Sequence, residues 1–368
     1  MGKASSNADL HAAKKSKQDD FYTQLSDVEK ELKFHKKSVR NKTIICNCDD
    51  PRVSNFFHYF SYNFEQLKLK KLISVCYKNN QINLFSQNKN EKAVFLEYTG
   101  DKNGDNIPNL EEIDVLPLKG DGDFRGEESI NLLKKSDIVI TNPPFSLFRE
   151  FLDQTINHNK KFLILGNVNA ISYKEVFKLI MENKVWLGAS IHSGDREFGV
   201  PRDLETRSNS LRIDENGNKF IRVPGIRWFT NLDYKQRHED LILYKKYTPE
   251  EYPKYDNYDA INVNITKEIP MDYDGIMGVP ITFLSKYNPD QFEILGLSQK
   301  VGYGLESIKF YDDYEETRQD GTKTGSSGKK TNGNAVLAGR PKKGNFYIKG
   351  SDVVHSLYGR IFIRNKRL

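Results

Sequence analysis

The sequence predicts an α/β fold, a mostly parallel sheet followed by a mixed α/β carboxyl-terminal region. Short apolar runs rich in β-branched residues alternate with stretches of helical periodicity, and after Asp240 the pattern changes to short aromatic stretches with prolines. The chain has 368 residues, 37% of them hydrophobic and 29% charged, which is typical of a globular protein with two domains. Apolar runs stay well below the roughly 18 residues that span a membrane, so no membrane association is expected.

The elements of the predicted sheet alternate along the first two thirds of the chain. The predicted strands are Thr43–Cys48, Lys71–Tyr77, Ile138–Ile140, Lys161–Val168, Val185–Gly188 and Ile226–Leu232. The predicted helices are Val28–Lys37, Val53–Phe60, Ser129–Lys135, the stretch after Phe145, and Ser172–Asn183. The last two strands are expected to pair as an antiparallel hairpin. Residues 78–118 are predicted to be irregular, and residues 190–223 are predicted to form a long polar insertion.

The strand Ile138–Ile140 ends abruptly in Asn142-Pro143-Pro144-Phe145. Pro143 fixes φ, lacks a backbone donor and keeps Asn142 out of the helical region, so the strand must stop there. The result is a rigid turn at the carboxyl end of a strand, where open α/β sheets bind their ligands. It is expected to present one amide side chain, backbone carbonyls and one exposed aromatic ring.

These groups fit a planar heterocycle that is held by its exocyclic amine. The side-chain oxygen of Asn142 and the carbonyl of Pro143 can each accept one N–H of the amine, which directs the nitrogen lone pair at an electrophile. The ring of Phe145 can stack on the heterocycle, a contact worth about 1–3 kcal/mol per base. The structural alternative is a proline turn with a helix-capping asparagine and a core phenylalanine.

Asn142-Pro143-Pro144-Phe145 resembles the catalytic motif of amino-methyltransferases that act on adenine N6. The rest of the chain resembles the EcoRI-type DNA adenine methyltransferases, from about Lys14 to the carboxyl end. The stretches that carry this resemblance are Asp19–Gln24, Asn47–Phe57, Gly120–Arg125 and Tyr252–Val263. The resemblance implies a Rossmann-like S-adenosylmethionine-dependent methyltransferase sheet with a carboxyl-terminal mixed α/β target-recognition region.

The same resemblance implies residues that bind the cofactor S-adenosylmethionine. They are Phe21, Tyr22, Thr23, Asn47, Asp49, Asp50, Asp121, Asp123 and Phe124. The segment from Phe21 to Thr23 would lie over the methionine end of the cofactor; Asp49 or Asp50 would bind its ammonium group.

Asp123 and Phe124 would hold the cofactor's adenine. Each group has a structural alternative. For the segment from Phe21 to Thr23 it is a core ring with a capping Thr23, and for Asp49 or Asp50 it is a loop carboxylate that caps the next helix. For Asp123 and Phe124 it is a plain Gly-Asp turn. The loop after the first strand has no glycine-rich motif, and an acidic residue for the ribose is missing after the second strand.

The carboxyl-terminal part of the chain is basic. The net charge is +6, and residues 323–368 hold eleven Lys/Arg against one Asp. Aromatic and β-branched residues interrupt this run, which favours a folded polyanion-binding element over a disordered tail. The candidate phosphate-binding residues are Lys329, Lys330, Arg340, Lys342 and Lys343. The three cysteines are expected to be reduced, as in a cytoplasmic protein, and no metal site is expected.

The resulting prediction is a site-specific DNA methyltransferase that flips adenine and transfers methyl directly to N6. Residues 1–18 are expected to form a mobile basic arm, residues 19–239 the catalytic domain, and residues 240–368 the target-recognition region. The expected partner is double-stranded DNA, and the protein is expected to be a bacterial or phage-encoded monomer. A cognate restriction endonuclease, without a stable complex, is left open. The alternatives are an N-methyltransferase on RNA adenine or a protein amide, and a non-catalytic DNA-binding module of methyltransferase shape.

Overall fold

The computed structural model describes residues 21–48, 53–75, 93–105, 107–109, 111–200, 210–299 and 302–368. These residues form a mixed α/β protein with four sheets, in two compact units. The first unit holds the described residues up to Ala170 and Trp186–Tyr234; the second holds Ile171–Val185 and Lys235–Leu368. Within the described residues, every helix is too short or too polar to cross a membrane. The assignment of catalysis and target recognition to separate domains stays a prediction.

Within the described residues, the first unit contains six α-helices, the 3-10 helix Phe145–Leu147 and twelve strands. Its helices are α1 (Leu25–Leu32), α2 (Lys36–Val39), α3 (Asn55–Tyr62), α4 (Phe64–Leu67), α5 (Glu127–Lys135) and α6 (Phe148–Asn157). Its strands are β1 (Tyr22–Thr23), β2 (Thr43–Cys46), β3 (Lys71–Val75), β4 (Val94–Tyr98), β5 (Ile113–Pro117), β6 (Ile138–Thr141), β7 (Lys161–Asn167), β8 (Trp186–Leu187), β9 (Arg196–Val200), β10 (Leu211–Ile213), β11 (Lys219–Val223) and β12 (Ile226–Thr230).

The central sheet of the first unit has the order β5-β4-β3-β2-β6-β7-β12-β8. Strands β3, β2, β6 and β7 are parallel, and their neighbours on both sides are antiparallel. The β-branched runs are buried, as predicted: Ile45, Val139 and Ile140 are fully inaccessible. The predicted antiparallel pairing of the last two strands is confirmed by β8 and β12.

The order of the parallel strands creates a switch point between β2 and β6. Strand β3 follows β2 on one side, whereas β6 lies on the other side of β2. Ligands of open α/β sheets bind in the crevice outside the carboxyl ends of the strands at such a point. The loop that begins at Asn47 and the turn that begins at Asn142 both start there.

Two predictions of irregular structure are wrong. Within residues 78–118, strands β4 and β5 form a hairpin that extends the central sheet. Within residues 190–223, strands β9, β11 and β10 form a second sheet with β1, in the order β1-β9-β11-β10. These strands are short and partly exposed, so they lack the fully buried character of the parallel core.

A buried carboxylate binds the segment between β8 and β9 to helix α1. The side chain of Glu31 is inaccessible and accepts hydrogen bonds from the main-chain N–H groups of Ala189 (2.8 Å) and Ser190 (2.7 Å). The Nε2 atom of His35 lies 3.2 Å from Oε1 of Glu31, the oxygen that also accepts from Ala189. Burial raises the pKa of Glu31, but these hydrogen bonds outweigh burial, and the pKa lies below its ordinary value.

Within the described residues, the second unit is built from one α-helix, several short 3-10 helices and two sheets. Its elements are α7 (Lys174–Met181), β13 (Ile261–Asn262), β14 (Met277–Pro280), β15 (Phe292–Ser298), β16 (Glu315–Thr317), β17 (Lys323–Ser327), β18 (Val336–Ala338), β19 (Phe346–Lys349), β20 (Asp352–Ser356) and β21 (Arg360–Asn365). One sheet has the order β13-β14-β21-β15 and the other β17-β16-β19-β20-β18. The prediction that the basic segment folds is confirmed, because it supplies five strands of these sheets.

Candidate active site

The diproline corner, residues 142–145, lies at the carboxyl end of β6. Asn142 and Pro143 are buried, with Asn142 only 6% exposed, and Phe145 is half-buried. The amide nitrogen Nδ2 of Asn142 donates a 2.6 Å hydrogen bond to the main-chain oxygen of Phe21. Its Oδ1 is buried and has no hydrogen-bond partner among the described residues. The corner is therefore more enclosed than predicted, and Asn142 Oδ1 is a buried acceptor to which a ligand could donate a hydrogen bond.

The segment that encloses the corner is Phe21–Thr23, which we call the strap. It contains β1 and pairs antiparallel with β9, with Tyr22 opposite Gly199 and Thr23 opposite Phe198. The amide Nδ2 of Asn55, the first residue of α3, donates to the main-chain oxygen of Thr23 at 2.7 Å. The strap thus bridges the start of α3 and the corner.

The prediction that Phe145 is an exposed ring is wrong. Its ring stacks on that of Phe21, with centroids 5.6 Å apart and planes inclined by 21°. The ring of Phe198 packs edge-on against both, at 5.9 Å from Phe145 and 5.8 Å from Phe21. The strap and β9 cover the corner. Both come from distant parts of the chain, so the local motif did not predict that Phe145 would be covered.

Two hydroxyl groups near the corner are buried without a partner among the described residues. They belong to Thr23 of the strap, which is 2% exposed, and Thr141, the last residue of β6. A hydroxyl buried in this way costs free energy until a partner binds it. Together with Asn142 Oδ1, these hydroxyls are buried polar atoms without a partner among the described residues, and Thr141 and Asn142 lie at the carboxyl end of β6.

The loop after β2 contains the next group of predicted cofactor-binding residues. Asn47 directly follows β2 and is 3% exposed, and its Oδ1 lies 3.9 Å from the thiol of Cys48. Asp49 and Asp50 lie outside the described residues, so their predicted role stays a prediction from the resemblance.

The third predicted group, Asp121, Asp123 and Phe124, lies in the turn that precedes α5. The carboxylate of Asp123 accepts three hydrogen bonds from Arg125, from its main-chain nitrogen (2.9 Å), Nε (3.0 Å) and Nη2 (2.7 Å). The Arg125 side chain lowers the pKa of Asp123. Phe124 is buried against Phe151, with ring centroids 5.0 Å apart, and Asp121 accepts from the main-chain nitrogen of Asp123.

The five basic residues predicted to bind phosphate all lie in the second unit and are exposed. Lys330 forms a 2.6 Å ion pair with Glu316. Burial raises the pKa of Glu316, but bonds from Lys330 and other donors outweigh this and lower it to about 2. Lys329, Lys342 and Lys343 take no part in the ion pairs formed between described residues.

Arg340 lies over the ring of Phe346, with its guanidinium 4.6 Å from the ring centroid, and also bonds to Gln319. The amide of Gln319 donates to the carbonyls of Pro341 and Gly344. Residues 339–345 are therefore a basic loop whose shape is fixed by Gln319.

Two residues of the corner's surroundings were missed by the sequence analysis. Phe198 lies in the region predicted to be a polar insertion, although the alternation of Phe198 and Val200 with polar or small residues is typical of a strand. Asn55 was included only as part of a helix.

Comparison with known proteins gives the class that the sequence motifs resemble, the adenine-specific methyltransferases. A family model described as "Adenine-specific methyltransferase EcoRI" matches residues 9–366. The Type II methyltransferase M.EcoRI of Escherichia coli is 55% identical over 303 residues, which cover 82% of this chain and 92% of that protein. The Type II methyltransferases M.MgeORF184P of Mycoplasma genitalium and M.MpnI of Mycoplasma pneumoniae are 42% and 40% identical, each over 82% of this chain and 89% of the relative. No solved structure matches the chain.

Fold, corner and matches together define an enzyme of the methyltransferase class that is specific for adenine. The chain belongs to the EcoRI family of adenine-specific methyltransferases. The roles of individual residues stay predictions.

Proposed function

We propose that the protein transfers a methyl group from S-adenosylmethionine to N6 of adenine in duplex DNA, after the adenine has turned out of the helix. The side chain of Asn142 carries this proposal. Its Nδ2 is bonded to the strap, which leaves a buried Oδ1 without a partner among the described residues. The exocyclic amine of adenine is a donor that satisfies such an oxygen.

The corner's task is to make a weak nucleophile react. The lone pair of an aromatic amine is delocalised into the ring, so the nitrogen attacks poorly. Acceptance of its two protons by Asn142 Oδ1 and the Pro143 carbonyl favours a pyramidal nitrogen whose lone pair points away from the ring. S-adenosylmethionine, when bound, supplies an electrophilic methyl group, so a direct in-line transfer needs no covalent link to the protein.

The flipped adenine is proposed to stack on Phe145 in the position of the Phe21 ring. The Phe21 side chain can turn about χ1 while its main-chain oxygen keeps the bond to Asn142, because the two groups move independently. Stacking contributes about 1–3 kcal/mol per base. This offsets part of the few kcal/mol that unstacking and unpairing of the base cost.

The cofactor is proposed to bind at the switch point of a Rossmann-like central sheet. The buried hydroxyl of Thr23, which has no partner among the described residues, fits this assignment, since the strap would lie over the methionine end of the cofactor. Tyr22, Asn47, Asp49 and Asp50 are proposed to complete this end of the site. Their roles rest on the resemblance and on the position of the loop after β2.

Asp123 and Phe124 are proposed to hold the adenine of the cofactor, next to Asp121. A carboxylate has about four acceptor positions. Arg125 uses three of them, so one position remains for an amine. The buried ring of Phe124 would supply the apolar wall.

DNA is proposed to contact the basic loop of the second unit through Lys342 and Lys343, with Lys329, Lys330 and Arg340 nearby in sequence. This fits residues 240–368 as the target-recognition region and residues 19–239 as the catalytic domain. The protein is proposed to act as a monomer. Pairing with a restriction endonuclease would take the form of shared site specificity without a stable complex.

Removing both lysines of the loop, Lys342→Ala with Lys343→Ala, is expected to weaken DNA binding and its dependence on salt. For each phosphate that the variant no longer neutralises, the slope of log K against log salt becomes shallower by about 0.9. Lys349→Ala is the matched control, because Lys349 is already paired with Asp313. The slope is measured by fluorescence anisotropy with a DNA duplex. An equal slope for the double variant and the wild type would remove this loop from the interface.

Transfer of label from [methyl-³H]S-adenosylmethionine to duplex DNA, RNA and protein tests the proposed function. We expect label in duplex DNA, recovered as N6-methyladenine after digestion to nucleosides. Label in RNA or protein alone would favour the other N-methyltransferase activities. A protein that binds DNA but transfers no label to any of the three would contradict the proposal.

A further inference from the structure

We infer that Asn55 is a positioning residue, which holds the strap and thereby fixes the amide orientation of Asn142. This inference rests on the proposed function, because it concerns the same site. Asn55 does not touch the reacting atoms; it acts through the main chain of the strap.

The strap is held on both of its edges. One edge pairs with β9, where Tyr22 lies opposite Gly199. On the other edge, the carbonyls of Phe21 and Thr23 point to the same side, as expected for residues two apart in a strand. Asn142 donates to the first of these carbonyls at 2.6 Å, and Asn55 donates to the second at 2.7 Å.

The bond to the strap determines which atom of the Asn142 amide can meet a substrate. Because Nδ2 is engaged by the Phe21 oxygen, Oδ1 is directed away from the strap and remains without a partner among the described residues. If the strap moves, the amide is free to rotate and to present a donor in place of the acceptor. An amine substrate needs the acceptor.

Helix capping does not account for the Asn55 side chain. Helix α3 is capped by Ser54, whose hydroxyl accepts from the main-chain nitrogen of Phe57. The amide of Asn55 is instead directed to a residue 32 positions earlier in the chain. It also follows the proposed cofactor loop, so it links that loop to the strap that carries the buried Thr23 hydroxyl.

The test compares Asn55→Ala with Asn63→Ala. Asn63, at the carboxyl end of α3, donates its own amide to the Tyr59 carbonyl at 2.8 Å, so both variants lose one side-chain bond to a carbonyl. A hydrogen bond of this kind corresponds to about a tenfold effect. We expect Asn55→Ala to raise KM for S-adenosylmethionine and to lower kcat, about tenfold in kcat/KM. Asn63→Ala should lose similar thermal stability without a kinetic change.

Asn55→Asp supplies a signature that a merely structural role would not give. The new carboxyl can donate to the Thr23 carbonyl only when protonated, and partial burial beside a carbonyl oxygen raises its pKa above the ordinary value of about 3.9. The kcat/KM of Asn55→Asp relative to wild type should therefore rise as the pH falls from about 8 to about 5. A flat ratio, or equal kinetics for Asn55→Ala and Asn63→Ala, would overturn the inference.

Hydrogen exchange of residues 21–24 separates this inference from the proposed function, because it needs no activity. We expect faster exchange of the strap in Asn55→Ala than in Asn63→Ala. If the wild type methylates nothing, the proposed function fails. If the exchange rate of residues 21–24 is unchanged in Asn55→Ala, the inference that Asn55 holds the strap is contradicted.

Discussion

Replacing Asn142 with alanine is expected to lower kcat for DNA methylation by at least about 10²–10³-fold, the usual loss when one group that stabilises a transition state is removed. The variant lacks the buried Oδ1 that is proposed to accept the amine proton. Binding of S-adenosylmethionine should persist, since other residues are proposed to hold it. Initial rates give kcat, and calorimetric titration of the same preparation gives the Kd of the cofactor.

Asn167→Ala is the matched control for this change. Asn167 ends β7, the parallel neighbour of β6, and both ends of its amide are engaged: Nδ2 donates to Pro224 at 3.1 Å and Oδ1 accepts from Asn169 at 2.9 Å. We expect this variant to lose stability and to keep its kcat. Near-normal turnover in Asn142→Ala would refute the proposed mechanism.

Glu31→Ala is expected to lower the free energy of unfolding by about 3–5 kcal/mol, the usual cost of removing one partner from a buried charged network. The change leaves the N–H groups of Ala189 and Ser190 without their acceptor, and it releases from α1 the segment that leads from β8 to β9. Urea denaturation followed by circular dichroism measures the loss. Glu29→Ala, on the exposed side of the same helix, is the control and should cost far less.

The same carboxylate predicts a pH dependence. Its folded-state pKa lies below the ordinary value of 4.5, so its contribution to stability is present above that pH. As the pH falls further, through the folded-state pKa, the contribution is lost. The stability difference between wild type and Glu31→Ala should therefore shrink in acid; a difference independent of pH would show that the carboxylate charge is not what stabilises α1.

The parallel core of the fold could be predicted because its strands are continuous apolar runs. Successive residues such as Ile44 and Ile45 point to opposite faces of the sheet and are both inaccessible, so local composition identifies the strand. The antiparallel hairpin of β4 and β5 was missed for the opposite reason. Strand β5 is largely exposed although it carries Ile113, Val115 and Leu116, so its apolar residues do not mark a buried face of the sheet.

The sequence predicted the residues of the diproline corner but not the residues that pack around it. A diproline turn after a buried strand identifies Asn142 by local sequence alone. Its partner Phe21 lies 121 residues away, and the covering ring of Phe198 comes from a region read as a loop. Such contacts depend on the pairing of β1 with β9, which local patterns do not encode.

For the basic segment, too, composition predicted only part of what the structure shows. Its positive charge was correctly located, but acidic residues elsewhere in the second unit pair with part of it, as Glu316 does with Lys330 and Asp313 with Lys349. Charge counts along the chain do not reveal these pairs.

Long-read sequencing of DNA from cells that express the wild type or Asn142→Ala tests the central claim most directly, because it reports the modified base and its sequence context together. We predict N6-methyladenine in one short sequence context with the wild type, and its absence with the variant. Equal methylation by both proteins, or unmodified adenine with the wild type, would contradict a corner in which the Asn142 oxygen receives the adenine amine.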